Sequence, residues 1–261
     1  MPGNLTGEEA LEGRDARWLC AGDLMGGKAV VLWSGGKDSA LAFREARLWG
    51  YDVVGLATFA PDGGDFLAHP LRFVRLQSEA LAVPHVCVRI DQPFEASYEA
   101  AIEQIATRLE VATLVTGDVR PVDGYPNWIK ERCRSVGVEV VTPLWGRDGG
   151  GLLEELLSCG FTAIFSCVKK AWFTEDWLGS RLDHRALEAL RTISAESGLD
   201  ICGEQGEYHT LVIDGPGFER GISIRAFDRR STEYFSYLEI SAAALAGKRR
   251  HSTAVRRETC L

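Results

Sequence analysis

Residues 34–39, with the sequence SGGKDS, place two glycines, a lysine, an aspartate and two serines directly after an apolar run at 29–33. The glycines free the backbone for a tight turn in which successive N–H groups converge on one anion. Lys37 adds a positive charge, and Asp38 and Ser39 stand where a helix is expected to begin, so the helix dipole also favours an anion. The stretch predicts a phosphate-binding loop, and the alternative is a glycine-rich turn with an incidental lysine.

The spacing of this loop excludes two common phosphate-binding motifs. A Walker loop has a glycine where Val31 stands, and it has serine or threonine directly after the lysine, where Asp38 stands. A dinucleotide fingerprint of the form GxGxxG is also absent from the loop. The predicted phosphate site therefore belongs to a different class.

A second chemically suited stretch is residues 201–216, with the sequence ICGEQGEYHTLVIDGP. Glu204, Glu207 and His209 surround a turn containing Gly203 and Gly206, directly before an expected strand. Such groups are costly to crowd together unless they meet solvent, a metal ion or a ligand. We expect a substrate site here, and an exposed turn with ordinary surface charge is the alternative.

The composition is that of an ordinary globular protein. The 261 residues are 46% hydrophobic and 25% charged, and the formal net charge of −8 argues against a broad nucleic-acid surface. No apolar run approaches the roughly 18 to 20 residues of a membrane span. The first residues lack the basic and apolar regions of a secretory signal, so we expect a cytoplasmic protein.

The seven cysteines form no CxxC pair, which predicts reduced core residues rather than a zinc or sulfur-transfer site.

The order of strands and helices predicts the fold class. From 29 to 145, apolar strand patterns alternate with amphipathic helix patterns, which indicates an α/β fold with a doubly wound parallel sheet of about five strands. Residues 147–151, RDGGG, are the expected boundary, and a smaller α+β substrate domain follows. The predicted organisation is a disordered leader at 1–27, a nucleotide domain at 28–146, a substrate domain at 147–244 and a basic tail at 245–261.

SGGKDS after a first strand resembles the pyrophosphate loop of the ATP pyrophosphatases. Together with GEQGEYHT at 203–210, it makes the chain resemble the diphthine–ammonia ligase family, over about residues 28–224. The stretches 77–84, 116–118 and 143–145 match in the same order. The resemblance implies an adenine nucleotide alpha-hydrolase-like (HUP-type) domain with a C-terminal substrate domain. It also implies an enzyme that uses ATP, Mg²⁺ and ammonium to amidate diphthine on elongation factor two.

The residues and the resemblance together predict individual roles. Lys37, Asp38, Glu204 and Glu207 are the candidate catalytic residues, and Asp38 and Asp118 are the candidate magnesium ligands. Asp38 as a simple helix-start residue and His69 as a surface residue are the alternatives. The predicted nucleotide site comprises Ser34, Gly35, Gly36, Lys37, Asp38, Ser39, Thr58, His69, Gly117 and Asp118. The predicted acceptor site comprises Glu204, Glu207, Tyr208, His209 and Thr210.

Two positions depart from the family pattern. The family usually has glycine where Gln205 stands and glutamate where His209 stands. A histidine there removes a negative charge, which leaves the acceptor open between diphthine and another carboxylate. The substrate could also be another acid or an RNA base. A nucleotide-binding sensor without turnover is the alternative from a different class, and association as a homodimer stays open. With no glutaminase module in the sequence, free ammonium is the expected nitrogen source.

Overall fold

The computed structural model describes residues 26–61, 66–121 and 127–247. The predicted leader up to residue 25, the turn at 62–64 and the basic tail from residue 248 lie outside the described residues. Within the described ranges, none of the helices combines the length and the apolar character needed to cross a bilayer.

The first half forms the predicted parallel sheet. All neighbouring strands are parallel, and their order is β3-β2-β1-β4-β5. The strand order reverses beside β1, so a ligand is expected at the carboxyl end of that strand. This arrangement confirms the predicted α/β fold class. The strands are β1 (Lys28–Leu32), β2 (Asp52–Pro61), β3 (His85–Ile90), β4 (Thr113–Val115) and β5 (Glu139–Val141).

Helices cover both faces of this sheet. Successive side chains of β1 point to opposite faces, so neighbouring residues of the strand contact different helices. Val31 packs with residues of the first two helices, whereas Val30 packs with residues of the next two. Both valines are fully buried, as the continuous apolar run predicts. The helices are α1 (Lys37–Leu48), α2 (Leu71–Leu81), α3 (Phe94–Leu109) and α4 (Trp128–Ser135).

The second half is an antiparallel sheet with two helices. Strand β6 pairs with β7, β8 and β10, and β10 pairs with β9. The elements are α5 (Gly149–Ser158), β6 (Thr162–Lys169), a short 3-10 helix (Glu175–Trp177), β7 (Arg181–Leu182), α6 (His184–Ser197), β8 (Tyr208–Asp214), β9 (Gly221–Ser231) and β10 (Phe235–Ala246).

Two stretches of this half that we expected to lie between or beyond regular elements form the ends of such elements, while the domain boundary itself stays a prediction. The glycines at 149–151 form the first turn of α5, because the carboxylate of Asp148 accepts a hydrogen bond from the amide of Gly151 at 2.7 Å and caps the helix. Strand β10 continues through Ala246, so residues 245 and 246, which we expected in the tail, are paired with β9.

The two halves share one hydrophobic core. A single cluster of buried side chains includes Val31 of β1, Phe43 of α1 and Leu211 of β8. Strand β8 consequently lies against the beginning of α1, where the predicted phosphate loop is located. The division of the chain into two independent domains stays a prediction.

Candidate active site

The glycine-rich loop adopts a turn that leaves helix donors available. Gly35 has φ of +85°, a left-handed conformation that favours glycine, and Gly36 precedes the first helical residue without a side-chain cap. The hydroxyl of Ser39 donates to the carbonyl of Gly36 at 3.0 Å, and the amide of Gly36 donates to the hydroxyl of Ser34 at 3.3 Å. Within the described part of the chain, the amides of Asp38 and Ser39 have no acceptor. These amides can therefore bind an anion.

Strand β8 closes this loop from the second half of the chain. The amide of Lys37 donates to the hydroxyl of Thr210 at 3.1 Å, and the amide of Val212 donates to the carbonyl of Gly35 at 3.0 Å. The ring Nε2 of His69 lies 3.1 Å from the carbonyl oxygen of Thr210. Because a carbonyl only accepts, this nitrogen is the protonated one.

Lys37 points into a buried group of acidic and aromatic side chains. Its Nζ lies 2.6 Å from Asp38 Oδ2, 3.8 Å from Glu204 Oε1 and 5.7 Å from the centre of the Tyr208 ring. Burial by itself lowers the pKa of Lys37, but the charge of Asp38, with a smaller contribution from Glu204, raises it well above its usual value. The lysine is therefore a permanent cation.

Glu204 and Glu207 have different surroundings although both were predicted to be catalytic. Burial, with the nearby charge of Asp38, raises the pKa of Glu204 to about 7, against the opposing effect of Lys37. The buried carboxylate of Glu207 instead accepts hydrogen bonds from the amides of Asp200 at 3.2 Å and Gln205 at 2.9 Å. Glu204 is thus suited to proton transfer near neutral pH, whereas Glu207 holds the turn before β8.

Tyr208 also holds this turn. Its hydroxyl donates to the carbonyl of Ile201 at 2.7 Å, and its ring is almost completely buried against Phe165 and Phe173.

The thiol of Cys202 is buried, and burial raises its pKa to about 12. A protonated, buried thiol agrees with the expectation of packing rather than reactivity.

The strand end at Gly117 and Asp118 lies beside the loop. A Cβ atom on Gly117 would stand 2.6 Å from the carbonyl carbon of Asp38, so only glycine allows the start of α1 to approach this closely. The carboxylate of Asp118 accepts a hydrogen bond from the side-chain amide of Asn127 at 2.7 Å. Among the described residues, Cys202 and Glu204 have metal-ligand atoms within 4.8 Å of those of Asp38. Asp118 does not belong to this group. The pairing of Asp38 with Asp118 as metal ligands stays a prediction.

Thr58 and the two histidines border the loop from other sides. The hydroxyl of Thr58 donates to the carbonyl of Trp33 at 2.5 Å. The rings of His69 and His209 meet edge to face with centroids 5.3 Å apart. Burial is the main cause that lowers the pKa of His69 to about 3 and that of His209 to about 4. Both histidines are therefore neutral at physiological pH.

Gln77 begins the stretch 77–84 of the family resemblance, but the sequence assigned it no role in the site. It lies on α2, is fully buried and contacts Trp33, Gly35 and Val212. Its position one turn after Phe73 on the apolar face of the helix was the available signal, because a polar side chain there must find internal partners. Glutamine is also common on exposed helix surfaces, so the sequence alone did not single it out.

A parallel sheet with a glycine-rich loop at its switch point, followed by an antiparallel sheet, defines an α/β protein with a loop suited to binding an anion. Residues 27–140 match the model of the diphthamide synthase N-terminal domain, and residues 148–245 match that of the diphthamide synthase C-terminal domain. The chain belongs to this family, as the sequence predicted.

Curated relatives include proteins named diphthine–ammonia ligase. The Danio rerio protein is 28% identical over 225 residues, covering 76% of this chain and 87% of that protein. The human protein is 26% identical over 223 residues, covering 76% and 82%. The Schizosaccharomyces pombe protein is 26% identical over 244 residues, covering 82% of this chain but only 39% of its own length. A solved Methanocaldococcus jannaschii structure, described as a predicted subunit of tRNA methyltransferase, aligns with a TM-score of 0.43 and 20% identity over 72% of this chain and 97% of that one.

Proposed function

We propose that this protein is an ATP-dependent ligase that joins ammonium to a carboxylate, with diphthine on elongation factor two as the leading acceptor. The observation that supports this most directly is the contact of strand β8 with the phosphate loop, through Thr210 and Lys37. An acceptor held by the turn before β8 would lie next to a nucleotide held by the loop. The family membership and the names of the curated relatives agree with this reaction.

The chemistry requires activation of the acid. Ammonia does not displace an oxide from a carboxylate, so a carboxylate oxygen first attacks the α-phosphorus of ATP and pyrophosphate leaves. The nitrogen of ammonia then attacks the acyl carbon, AMP leaves with the electron pair of the broken C–O bond, and the nitrogen releases a proton to solvent to give the neutral amide. The amides of Gly36, Asp38 and Ser39, with the hydroxyl of Ser34, would bind the two outer phosphates, and Lys37 would stabilise the charge that develops on them.

Glu204 is the residue that we assign to proton transfer. Free ammonium must lose a proton before it can attack, and a carboxylate that titrates near pH 7 can accept it. Both oxygens of Glu207 already accept backbone hydrogen bonds, so we assign that residue to positioning the turn. This assignment narrows the sequence-based prediction, which treated the two glutamates alike.

Asp38 is the residue that we assign to a magnesium ion, because Mg²⁺ prefers carboxylate oxygens. Glu204, whose ligand atom lies within 4.8 Å of that of Asp38, is assigned to proton transfer and not to the metal. The protonated thiol of Cys202 is not a magnesium ligand. When bound, the ion would neutralise negative charge on the phosphates.

The identity of the acceptor carboxylate depends on the residue at position 209, which is a histidine in this chain. A neutral histidine pair gives that side of the site no charge with which to attract the trimethylammonium group of diphthine. Recognition would then depend on the carboxylate and on the protein that presents it. A different small carboxylic acid is the second candidate, and the neutral His69–His209 pair is the observation that favours it.

Product analysis tests the proposal. The protein is incubated with ATP, Mg²⁺, ¹⁵N-ammonium and either diphthine-bearing elongation factor two or a panel of carboxylic acids. We expect AMP and pyrophosphate in equal amounts and ¹⁵N in an amide product, all lost in Lys37→Ala. Formation of ADP, or ATP binding without turnover on any acceptor, would contradict the ligase assignment.

A further inference from the structure

We propose that Gln77 is a positioning residue that fixes the direction of the Gly35–Gly36 peptide group, so that the amide of Gly36 faces the outer phosphates of the nucleotide. This inference rests on the proposed function, because it assigns a role within the same phosphate site. It concerns a residue on α2 that is remote in sequence from both the loop and the turn before β8.

The side-chain amide of Gln77 uses both its acceptor and its donors. Its Oε1 accepts a hydrogen bond from Trp33 Nε1 at 3.0 Å. Its Nε2 donates to the carbonyl of Gly35 at 2.8 Å and to the carbonyl of Val212 at 2.7 Å. The indole N–H only donates and the carbonyls only accept, so the orientation of the amide is determined by its partners. No other uncharged side chain of this length offers an acceptor and two donors.

The contacts of Gly35 determine which way its peptide group points. Its carbonyl accepts two hydrogen bonds, one from Gln77 and one from the amide of Val212 at 3.0 Å. The peptide is planar and trans, so the N–H of Gly36 must point in the opposite direction. On that side lies the hydroxyl of the exposed Ser34, at 3.3 Å from the nitrogen. Gln77 and Val212 therefore direct this backbone donor toward the exposed Ser34, and a phosphate bound there would replace the hydroxyl as its acceptor.

The requirement for glycine at position 35 has the same origin. A Cβ atom there would lie 2.2 Å from Gln77 Oε1, which is far inside contact distance. Gly35 is thus needed both for its positive φ and for the approach of Gln77. Loss of the glutamine amide would leave two carbonyls and an indole N–H with fewer partners in a buried place, where unpaired polar groups are costly.

The same side chain joins the two halves of the protein. By donating to Val212 as well as Gly35, Gln77 makes the direction of the loop peptide depend on the position of strand β8. Preorganised backbone donors stabilise developing charge because they do not have to reorient during the reaction. Gln77 would therefore affect binding of the outer phosphates more than binding of the nucleoside monophosphate part.

The test compares ligands that differ only in those phosphates. Gln77→Met removes all three hydrogen bonds without adding a charge and is the decisive variant, whereas Gln77→Glu keeps the shape and the acceptor, replaces the donors and adds a negative charge. Trp33→Phe is the control, because among the three hydrogen bonds of Gln77 it removes the one to Oε1 and leaves the donors to Gly35 and Val212, although it also reduces the buried ring volume. Affinities for ATP, inorganic pyrophosphate and AMP are measured by calorimetry on proteins that have been checked for folding by circular dichroism.

We expect both Gln77 variants to lose about tenfold or more in affinity for ATP and pyrophosphate, with AMP affinity changed less than about threefold. Trp33→Phe should retain the ratio of ATP to AMP affinity of the unmodified protein. An unchanged ATP-to-AMP ratio in the Gln77 variants would overturn the role of Gln77 while leaving the proposed function intact. Failure of the unmodified protein to bind ATP or pyrophosphate would instead overturn both.

A measurement on the unmodified protein covers the case in which the Gln77 variants do not fold. The amide resonance of Gly36, assigned by NMR, is followed during titration with pyrophosphate. A large downfield shift is expected if this amide donates to the phosphates. The absence of a shift under saturating pyrophosphate would contradict the proposed direction of the peptide.

Discussion

The amide of Lys37 and the hydroxyl of Thr210 form a hydrogen bond of 3.1 Å between residues 173 positions apart in the chain. This contact joins the first turn of helix α1 to strand β8, so the predicted phosphate loop is completed by the second half of the protein. Helix N-terminal amides are commonly capped by local side chains, but Gly36 has none to offer. A distant threonine takes that role here.

Replacing Thr210 by valine should destabilise the protein, because the buried amide of Lys37 loses its acceptor. The expected loss is about 1 to 2 kcal/mol in the free energy of unfolding. Urea denaturation measures it, and Thr210→Ser, which keeps the hydroxyl, is the control. Equal stability of the valine variant and the unmodified protein would show that the hydrogen bond contributes nothing.

Glu204 and Glu207 should respond differently to the same substitution. Glu204→Gln should lower kcat for amide formation by about 100-fold or more, with little effect on stability, because it removes a general base. Glu207→Gln should chiefly lower stability, by about 1 to 3 kcal/mol, because two backbone amides lose a charged acceptor. Turnover assays and urea denaturation on both variants separate the two roles. The reverse pattern would exchange the assignments.

The rate of amide formation should rise with pH and level off above about pH 7. Burial raises the pKa of Glu204 to about 7, and only its deprotonated form accepts a proton. Below that pH the rate should fall about tenfold per pH unit. Single-turnover rates from pH 5.5 to 8.5, at saturating ammonium, test this expectation. The rise should disappear in Glu204→Gln, and a rate independent of pH in the unmodified protein would argue against this base.

Acidification should destabilise the protein through His69 and His209. Their pKa values are lowered from 6.5 to about 3 and about 4, mainly by burial, so the unfolded chain takes up protons before the folded one does. The contribution of these histidines to stability is complete above pH 6.5 and is lost as the pH falls, down to about 4 for His209 and about 3 for His69. Urea denaturation at pH 7 and pH 5 should show a smaller pH dependence in His209→Asn. An equal dependence in both proteins would mean that His209 does not remain neutral on folding.

The sequence by itself determined those features that depend on neighbouring residues. The buried strand β1 and the tight turn at the two glycines follow from local backbone preferences, and the structure has both. Helix α1 was expected to begin at Asp38 and begins one residue earlier, at Lys37. The alternation of strands and helices likewise predicted the parallel sheet. The ordered resemblance over residues 28–224 predicted the family, which the two domain models confirm.

Only the tertiary structure distinguished residues whose roles depend on distant partners. Glu204 and Glu207 are equivalent in the sequence, yet one faces Lys37 and the other accepts two amides of its own turn. Gln77 looked like an ordinary helix residue until its contacts with Gly35 and Val212 were known. The physical reason is that burial and hydrogen-bond partners depend on packing between elements far apart in the chain, whereas turns and periodicity depend on neighbouring residues.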